Sequence, residues 1–294
     1  MTRLQGTYTL LVTPFKDDLS LDEEGLRVLV QRQVKADVHG IAPLGVTGEN
    51  SLLSEQEIIR IMEIIVEEVN GRCKVIPDTC TSSIDTTLER IKLYDKIGSD
   101  YVSVFVPFLV LPKEDGIISF YEKIADDSKL PILIHNSPGR VVVNLSPEGV
   151  AHLARHPNIA GIKEGVKGLD HLAKIIYLTK DEDFSVFTGK DTTLYPLLSF
   201  GGHGNFAVAG NIVPEVMKNI FEYHAHGEDE KARELHYSYY DLFEGLRSET
   251  NPIPAKEALN MMGLPGGYLR PPLTRLSEQK REKLKKILKN RKLV

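Results

Sequence analysis

Ile159-Ala160-Gly161-Ile162-Lys163-Glu164 is the stretch on which the reading of this chain turns. A short apolar run leads into a lysine. It follows a Pro157-Asn158 turn and precedes the Gly165 and Gly168 break, so it reads as a buried strand whose last residues emerge at a loop. Residues 146–155, with Pro147 in the first turn, read as a helix before it. Residues 169–178 read as the helix after it. A buried strand between two helices is the unit that parallel strands require, because each crossover must carry the chain back to the same edge.

The same unit recurs outward in both directions. Further strands are expected at 7–13, 40–44, 74–77, 101–106, 131–135, 184–188 and 205–208. Helices are expected at 22–35, 54–69, 85–97, 117–125 and 192–200, with another opened by Pro214. Ser54 and Glu57 have the spacing of a capping box. Eight short-linked βα units without a break in composition predict an α/β fold of the (β/α)8 TIM-barrel type. A doubly wound sheet would instead want a glycine-rich turn after strand one, and Val12-Thr13-Pro14-Phe15 has none. After about residue 225 only helical patterns follow, at 229–246, 254–262 and 277–288. The expected organisation is a barrel over 1–224 and a C-terminal helical appendage, 225–294, packed on it.

The 294 residues carry 36 basic and 41 acidic side chains, a net charge of −5, which argues against nucleic acid or an anionic membrane as partner. The basic stretch 280–292 has Leu284, Ile287 and Leu288 at the spacing of a solvated amphipathic helix. No apolar run reaches membrane-spanning length. Cys73 and Cys80 lack CxxC spacing and read as thiols of a reducing cytosol, so the expected location is cytoplasmic.

A lysine at a buried strand end is either an ion-pair partner, here of Glu164 or another carboxylate, or an amine whose pKa is lowered by desolvation. Its company decides between the two. Active sites of (β/α)8 barrels lie at the C-terminal ends of the strands. Strand two ends in Gly45-Val46-Thr47-Gly48-Glu49, a tight loop whose N–H groups and hydroxyl suit a carboxylate. Strand five ends in His135-Asn136-Ser137-Pro138-Gly139-Arg140, offering an imidazole and a guanidinium fork. Strand seven runs into Gly189, and Phe206 begins the segment 206–210 expected at the barrel mouth. Lysine, histidine, threonine and arginine are thus expected on one rim. An amine plus an anion clamp suits a 2-oxo acid: the amine condenses with the keto carbon, and the protonated imine stabilises a carbanion at the next carbon as an enamine. No HxH or HExxH spacing points to a metal site.

Gly45-Val46-Thr47-Gly48-Glu49, Asn136-Ser137-Pro138-Gly139-Arg140 and Gly161-Ile162-Lys163-Glu164 closely resemble the motifs of the dihydrodipicolinate synthase / N-acetylneuraminate lyase family. Asn251-Pro252-Ile253-Pro254-Ala255-Lys256 and Leu269-Arg270-Pro271-Pro272-Leu273 resemble the synthase branch. The resemblance implies a Schiff-base lysine at Lys163, no cofactor and no metal. It also implies 2-oxo acid and aldehyde substrates, and commonly a homotetramer built as a dimer of dimers. By the same resemblance Thr47 and Gly48 bind the 2-oxo acid carboxylate and Arg140 takes the second substrate's carboxylate; Val46, Gly189 and Phe206 are further expected substrate-binding residues.

The departures are as informative. The family pattern has a hydroxyl residue at Val46, a tyrosine at His135 and, in the synthase branch, a tyrosine lent across the dimer at Leu109. All three belong to its proton relay. Imidazole can do a phenol's work as general acid/base; valine and leucine carry no proton. Glu55, Ser82 and Phe108 stand where the lysine-feedback pocket of some synthases has His, Asn and Tyr. Three readings follow. The first is an aldolase for a 4-hydroxy-2-oxo acid, with Lys163 as the imine lysine, Thr47 holding the carboxylate and His135 moving the proton. The second is a 4-hydroxy-tetrahydrodipicolinate (dihydrodipicolinate) synthase, condensing pyruvate with aspartate semialdehyde through a rebuilt relay. The third is a barrel that binds a 2-oxo acid without turning it over.

Overall fold

The computed structural model describes residues 3–166 and 168–294. Its eight strands are β1 (Gly6–Leu10), β2 (Gly40–Ala42), β3 (Lys74–Val75), β4 (Val102–Phe105), β5 (Ile132–Asn136), β6 (Ile159–Glu164), β7 (Ser185–Thr188) and β8 (Gly204–Ala207). They are arranged in the order β3-β2-β1-β8-β7-β6-β5-β4. The registered pairs are all parallel, and a helix follows each strand. This is the expected (β/α)8 barrel topology with helices at its C-terminal end. Nearly every strand residue is buried, including both faces of β4 and β5, as parallel strands covered by helices must be.

The chain divides into two compact units. One takes in the chain up to Gly6 together with Ile76–Phe206; the other takes in Thr7–Val75 and Ala207–Val294. In the first unit, β4 to β7 pair in register, with His135 opposite Lys163 and Asn136 opposite Glu164. Asp78, three residues past β3, makes a parallel bridge to Ser103 of β4. Backbone bonds from Ser103 to Pro77 and from Thr79 to Ser103 hold it there.

The second unit contains the helices Glu23–Lys35 and Glu55–Val69 and the C-terminal helices. Asp22 caps the first of these through the Gly25 N–H. Ser54 and Glu57 form the expected capping box, satisfying two N–H groups that the helix leaves unpaired. The segment expected as one helix over 229–246 is two, Asp229–Ser238 and Tyr240–Gly245, meeting at Tyr239. Hydrophobic periodicity alone did not show this break, because buried His236, Leu242 and Phe243 keep the apolar face continuous across it. The strands are also shorter than expected at several ends: β3 stops short of Pro77, which has no backbone donor, and beyond β1 the Val12 N–H bonds the Asn211 Oδ1 rather than a neighbouring strand. No helix among the described residues is long and apolar enough to cross a membrane.

Candidate active site

Lys163 sits in β6, and His135 faces it from the neighbouring strand β5. Both side chains are buried, as is Asp78. The Lys163 Nζ lies 3.0 Å from Nε2 of His135. The other ring nitrogen, Nδ1, lies 2.5 Å from Oδ2 of Asp78. Asp78 in turn accepts from the Ser103 hydroxyl at 3.0 Å and from the Cys80 N–H at 3.0 Å. The imidazole packs against Phe105 at a tilt of 55°, ring centroids 4.1 Å apart.

These contacts fix the protons. A carboxylate only accepts, so Nδ1 carries the hydrogen and Nε2 presents its lone pair to the amine. Burial pushes the Lys163 amine down to about 8, against the upward pull of Asp78. Burial and the lysine charge push His135 down to about 4, outweighing Asp78. Burial pushes the Asp78 carboxyl up, but the charges and hydrogen bond of His135 and the charge of Lys163 outweigh it and hold it below the ordinary carboxylate value. Near neutral pH the chain is therefore a carboxylate, a neutral imidazole and an amine titrating close to the working pH.

Glu164 is not the partner of this lysine. Its buried carboxylate accepts from Asn136 Nδ2 at 2.8 Å and from the Val166 N–H at 2.9 Å, and lies 3.3 Å from His171. The strand pleat sends consecutive side chains to opposite faces, so Lys163 and Glu164 point apart.

Two other candidates belong to the same cluster. A Cβ on Gly189 would come within 3.3 Å of the Lys163 Cε, so this position leaves space for the lysine stem. The Phe206 ring lies 5.8 Å from the Lys163 Nζ and packs edge-on against Phe187. Arg140 stands exposed in the short helix Pro138–Val141, and its charge also lowers the Lys163 pKa. Leu109 is 92% exposed in a left-handed backbone conformation.

Val46, Thr47 and Gly48 lie in the second unit, in a loop tightened by bonds from the Gly48 N–H to Gly45 and from the Glu49 N–H to Val46. Gly48 admits no side chain: a Cβ would meet the Leu44 nitrogen at 3.0 Å. The buried Thr47 hydroxyl accepts from Asn251 Nδ2 at 2.8 Å. Glu49 takes a left-handed conformation, and its carboxylate accepts from the Lys256 Nζ at 2.6 Å. That ammonium also bonds the Tyr268 carbonyl and lies 4.5 Å from the Phe15 ring centroid. Arg270 grips Glu57 with two guanidinium nitrogens and the carbonyls of Leu19 and Leu52 with the rest of its fork. This pairing draws the Glu57 carboxyl down to about 2. The two C-terminal sequence motifs are therefore the anchors of the Thr47 loop and of the helix behind it.

Asp78 is the residue that the sequence reading missed. It directly follows the expected end of strand three, so the strand-tip rule applied to Pro77-Asp78-Thr79 reaches it. Cys80, beside it, makes no disulfide, and burial raises its thiol well above the ordinary value.

Comparison with known proteins carries the same pattern across the chain. The profile of the "Dihydrodipicolinate synthetase family" matches residues 3–291. The 4-hydroxy-tetrahydrodipicolinate synthase of Methanospirillum hungatei is 39% identical over 286 residues, covering 97% of this chain and 98% of the relative. That of Methanopyrus kandleri is 39% identical over 289 residues, covering 98% and 96%. The structure of dihydrodipicolinate synthase from Thermotoga maritima matches with a TM-score of 0.96 at 36% identity, over 99% of both chains. The Acinetobacter baumannii synthase complexed with pyruvate matches with a TM-score of 0.96 at 32% identity, over 99% of this chain and 100% of that one. On full-length sequence and structural similarity alike, this chain belongs to the dihydrodipicolinate synthetase family.

Proposed function

We propose that this chain is a Schiff-base lyase that takes pyruvate onto Lys163 and condenses it with aspartate semialdehyde. The observation that carries the reading is the buried Lys163 amine 3.0 Å from an imidazole lone pair. Of the two enzymatic readings of the sequence, the relatives favour the synthase over the sugar-acid aldolase, since each of those compared bears the synthase name.

The chemistry runs with its protons accounted for. Lys163 as ammonium gives a proton to Nε2 of His135. The free amine adds to the keto carbon, forming the C–N bond and an alkoxide. The imidazolium protonates that oxygen while Nε2 takes a proton from the new nitrogen. A second transfer from the imidazolium releases the oxygen as water and leaves the protonated imine. The net change is one lysine ammonium and one ketone to one iminium ion and one water. Loss of the lysine charge removes part of what depresses His135, so the imidazole becomes a better base as the amine becomes neutral.

Val46, Thr47 and Gly48 are assigned to the 2-oxo acid carboxylate, Arg140 to the carboxylate of the aldehyde, and Gly189 and Phe206 to the substrate lining. Exposed Leu109, Val110, Leu111 and Val142 support assembly with further copies of the chain, and a homotetramer is the state proposed. Light scattering that gives a monomer mass at working concentration removes that part. Pyruvate consumption in the presence of aspartate semialdehyde tests the activity. Turnover is expected, and none at any concentration of either substrate excludes the synthase. In that case the aldolase for a 4-hydroxy-2-oxo acid takes its place. The specific observation behind it is that Val46 and Leu109 bring no hydroxyl to the relay.

A further inference from the structure

Nothing in the motif pattern singles out Asp78, yet the geometry gives it a task. It is 4% exposed, three residues past β3, and its Oδ2 lies 2.5 Å from Nδ1 of His135. Ser103 and the Cys80 N–H fill other acceptor directions of the same carboxylate. The bridge of Asp78 to Ser103 fixes its backbone, and the tilted Phe105 ring packs against the imidazole. A carboxylate that is itself oriented by two donors therefore orients an imidazole, which in turn meets the amine.

We propose that Asp78 is a positioning residue that makes, with His135 and Lys163, a three-membered Asp–His–Lys proton relay. The inference rests on the imine reading of Lys163 and goes beyond it. Asp78 holds His135 as the tautomer whose Nε2 lone pair faces the amine. It also stabilises the imidazolium formed when Nε2 takes the proton of Lys163; the carboxylate stays ionised and no proton passes to it. Without it the ring is free to place its hydrogen on Nε2, which then faces an ammonium with a donor instead of an acceptor. This relay needs no phenol, which explains how imidazole serves at this position while Val46 and Leu109 bring no hydroxyl.

The first test leaves the protein unaltered. Nitrogen NMR of the ¹⁵N-histidine-labelled protein near pH 7 is expected to show His135 neutral with its hydrogen on Nδ1. A hydrogen on Nε2 overturns the proposal. The second test is kinetic. Asp78→Asn is expected to lower kcat by about 10²- to 10⁴-fold, with the KM for pyruvate changed by less than about threefold. Asp78→Asn/His135→Asn is expected to be no slower than His135→Asn alone, because residues acting as a unit are not additive. Parental kcat in Asp78→Asn, or additive losses in the double variant, overturns the relay. Borohydride trapping of the unaltered protein with pyruvate is run alongside. Its failure strikes the imine reading, whereas trapping with an unaffected Asp78→Asn strikes the relay only.

Discussion

The Lys163 Nζ and the His135 Nε2 face each other at 3.0 Å across neighbouring parallel strands, in register and out of water. One is an amine pushed down to about 8; the other is an imidazole pushed down to about 4. Burial depresses both, and the lysine charge depresses the imidazole further.

The pH dependence follows from the amine. The reaction draws its proton from the Lys163 ammonium, and the pair of ammonium and neutral imidazole is lost as pH rises through about 8, so kcat/KM for pyruvate is expected to fall with a midpoint near that value. The groups whose charges act on it are Asp78, Cys80 and Arg140, and the imidazole that faces it is His135. Initial rates across pH 6 to 10 check this, and a profile flat over that range contradicts it.

The same burial opposes folding. The folded amine titrates near 8 and the unfolded one near 10.5, so its penalty is fully present below 8 and fades as pH rises towards 10.5. Lys163→Met is therefore expected to be inactive and yet more stable at pH 7, by roughly 1–3 kcal/mol. Denaturant titrations at pH 7 and pH 10 are expected to show the gap narrowing at the higher pH.

Gly189→Ala brings a methyl group to 3.3 Å from the Lys163 Cε. The lysine stem must yield by a few tenths of an ångström, which displaces the amine from His135. A fall in kcat of about 10-fold is expected with little change in melting temperature, since misplacement of a reacting group is costly. Steady-state kinetics and a thermal melt separate the two effects.

Lys256→Met leaves the wholly buried Glu49 carboxylate without its ion-pair partner. A loss of about 3–5 kcal/mol is expected by urea denaturation, because an uncompensated buried charge is far worse than no charge. Adding Glu49→Gln is expected to recover part of it. A single variant as stable as the parent would show that the pair does not hold the Thr47 loop.

Arg140→Ala is expected to raise the KM for aspartate semialdehyde at least 10-fold while leaving the pyruvate adduct on Lys163 intact. The exposed guanidinium serves the second substrate in this account. Equal losses for both substrates would remove that assignment.

Much of this was legible in the sequence because the barrel writes itself as a local pattern. Apolar runs such as Ile159–Ile162 alternate with capped amphipathic helices such as Glu55–Val69, and strand tips mark the rim. Lys163, His135 and Gly189 could be picked out by that rule. Their mutual geometry could not, because it depends on the register that sets His135 opposite Lys163. Asp78 escaped because the strand-tip rule was not applied to strand three, and its task depends on a bridge to Ser103 and a contact with His135 that no local pattern encodes. The bonds from Asn251 to Thr47 and from Lys256 to Glu49 join residues some two hundred positions apart, a separation that no local periodicity encodes. The alternative of an ion pair between Lys163 and Glu164, already set aside on the residues around the lysine, is ruled out by geometry, since adjacent strand residues face opposite ways.

Borohydride reduction in the presence of pyruvate, followed by peptide mass spectrometry, tests the central claim most directly. The account predicts one reduced pyruvate adduct, on Lys163, absent from Lys163→Met. An unmodified Lys163, or an adduct on another lysine, would contradict it.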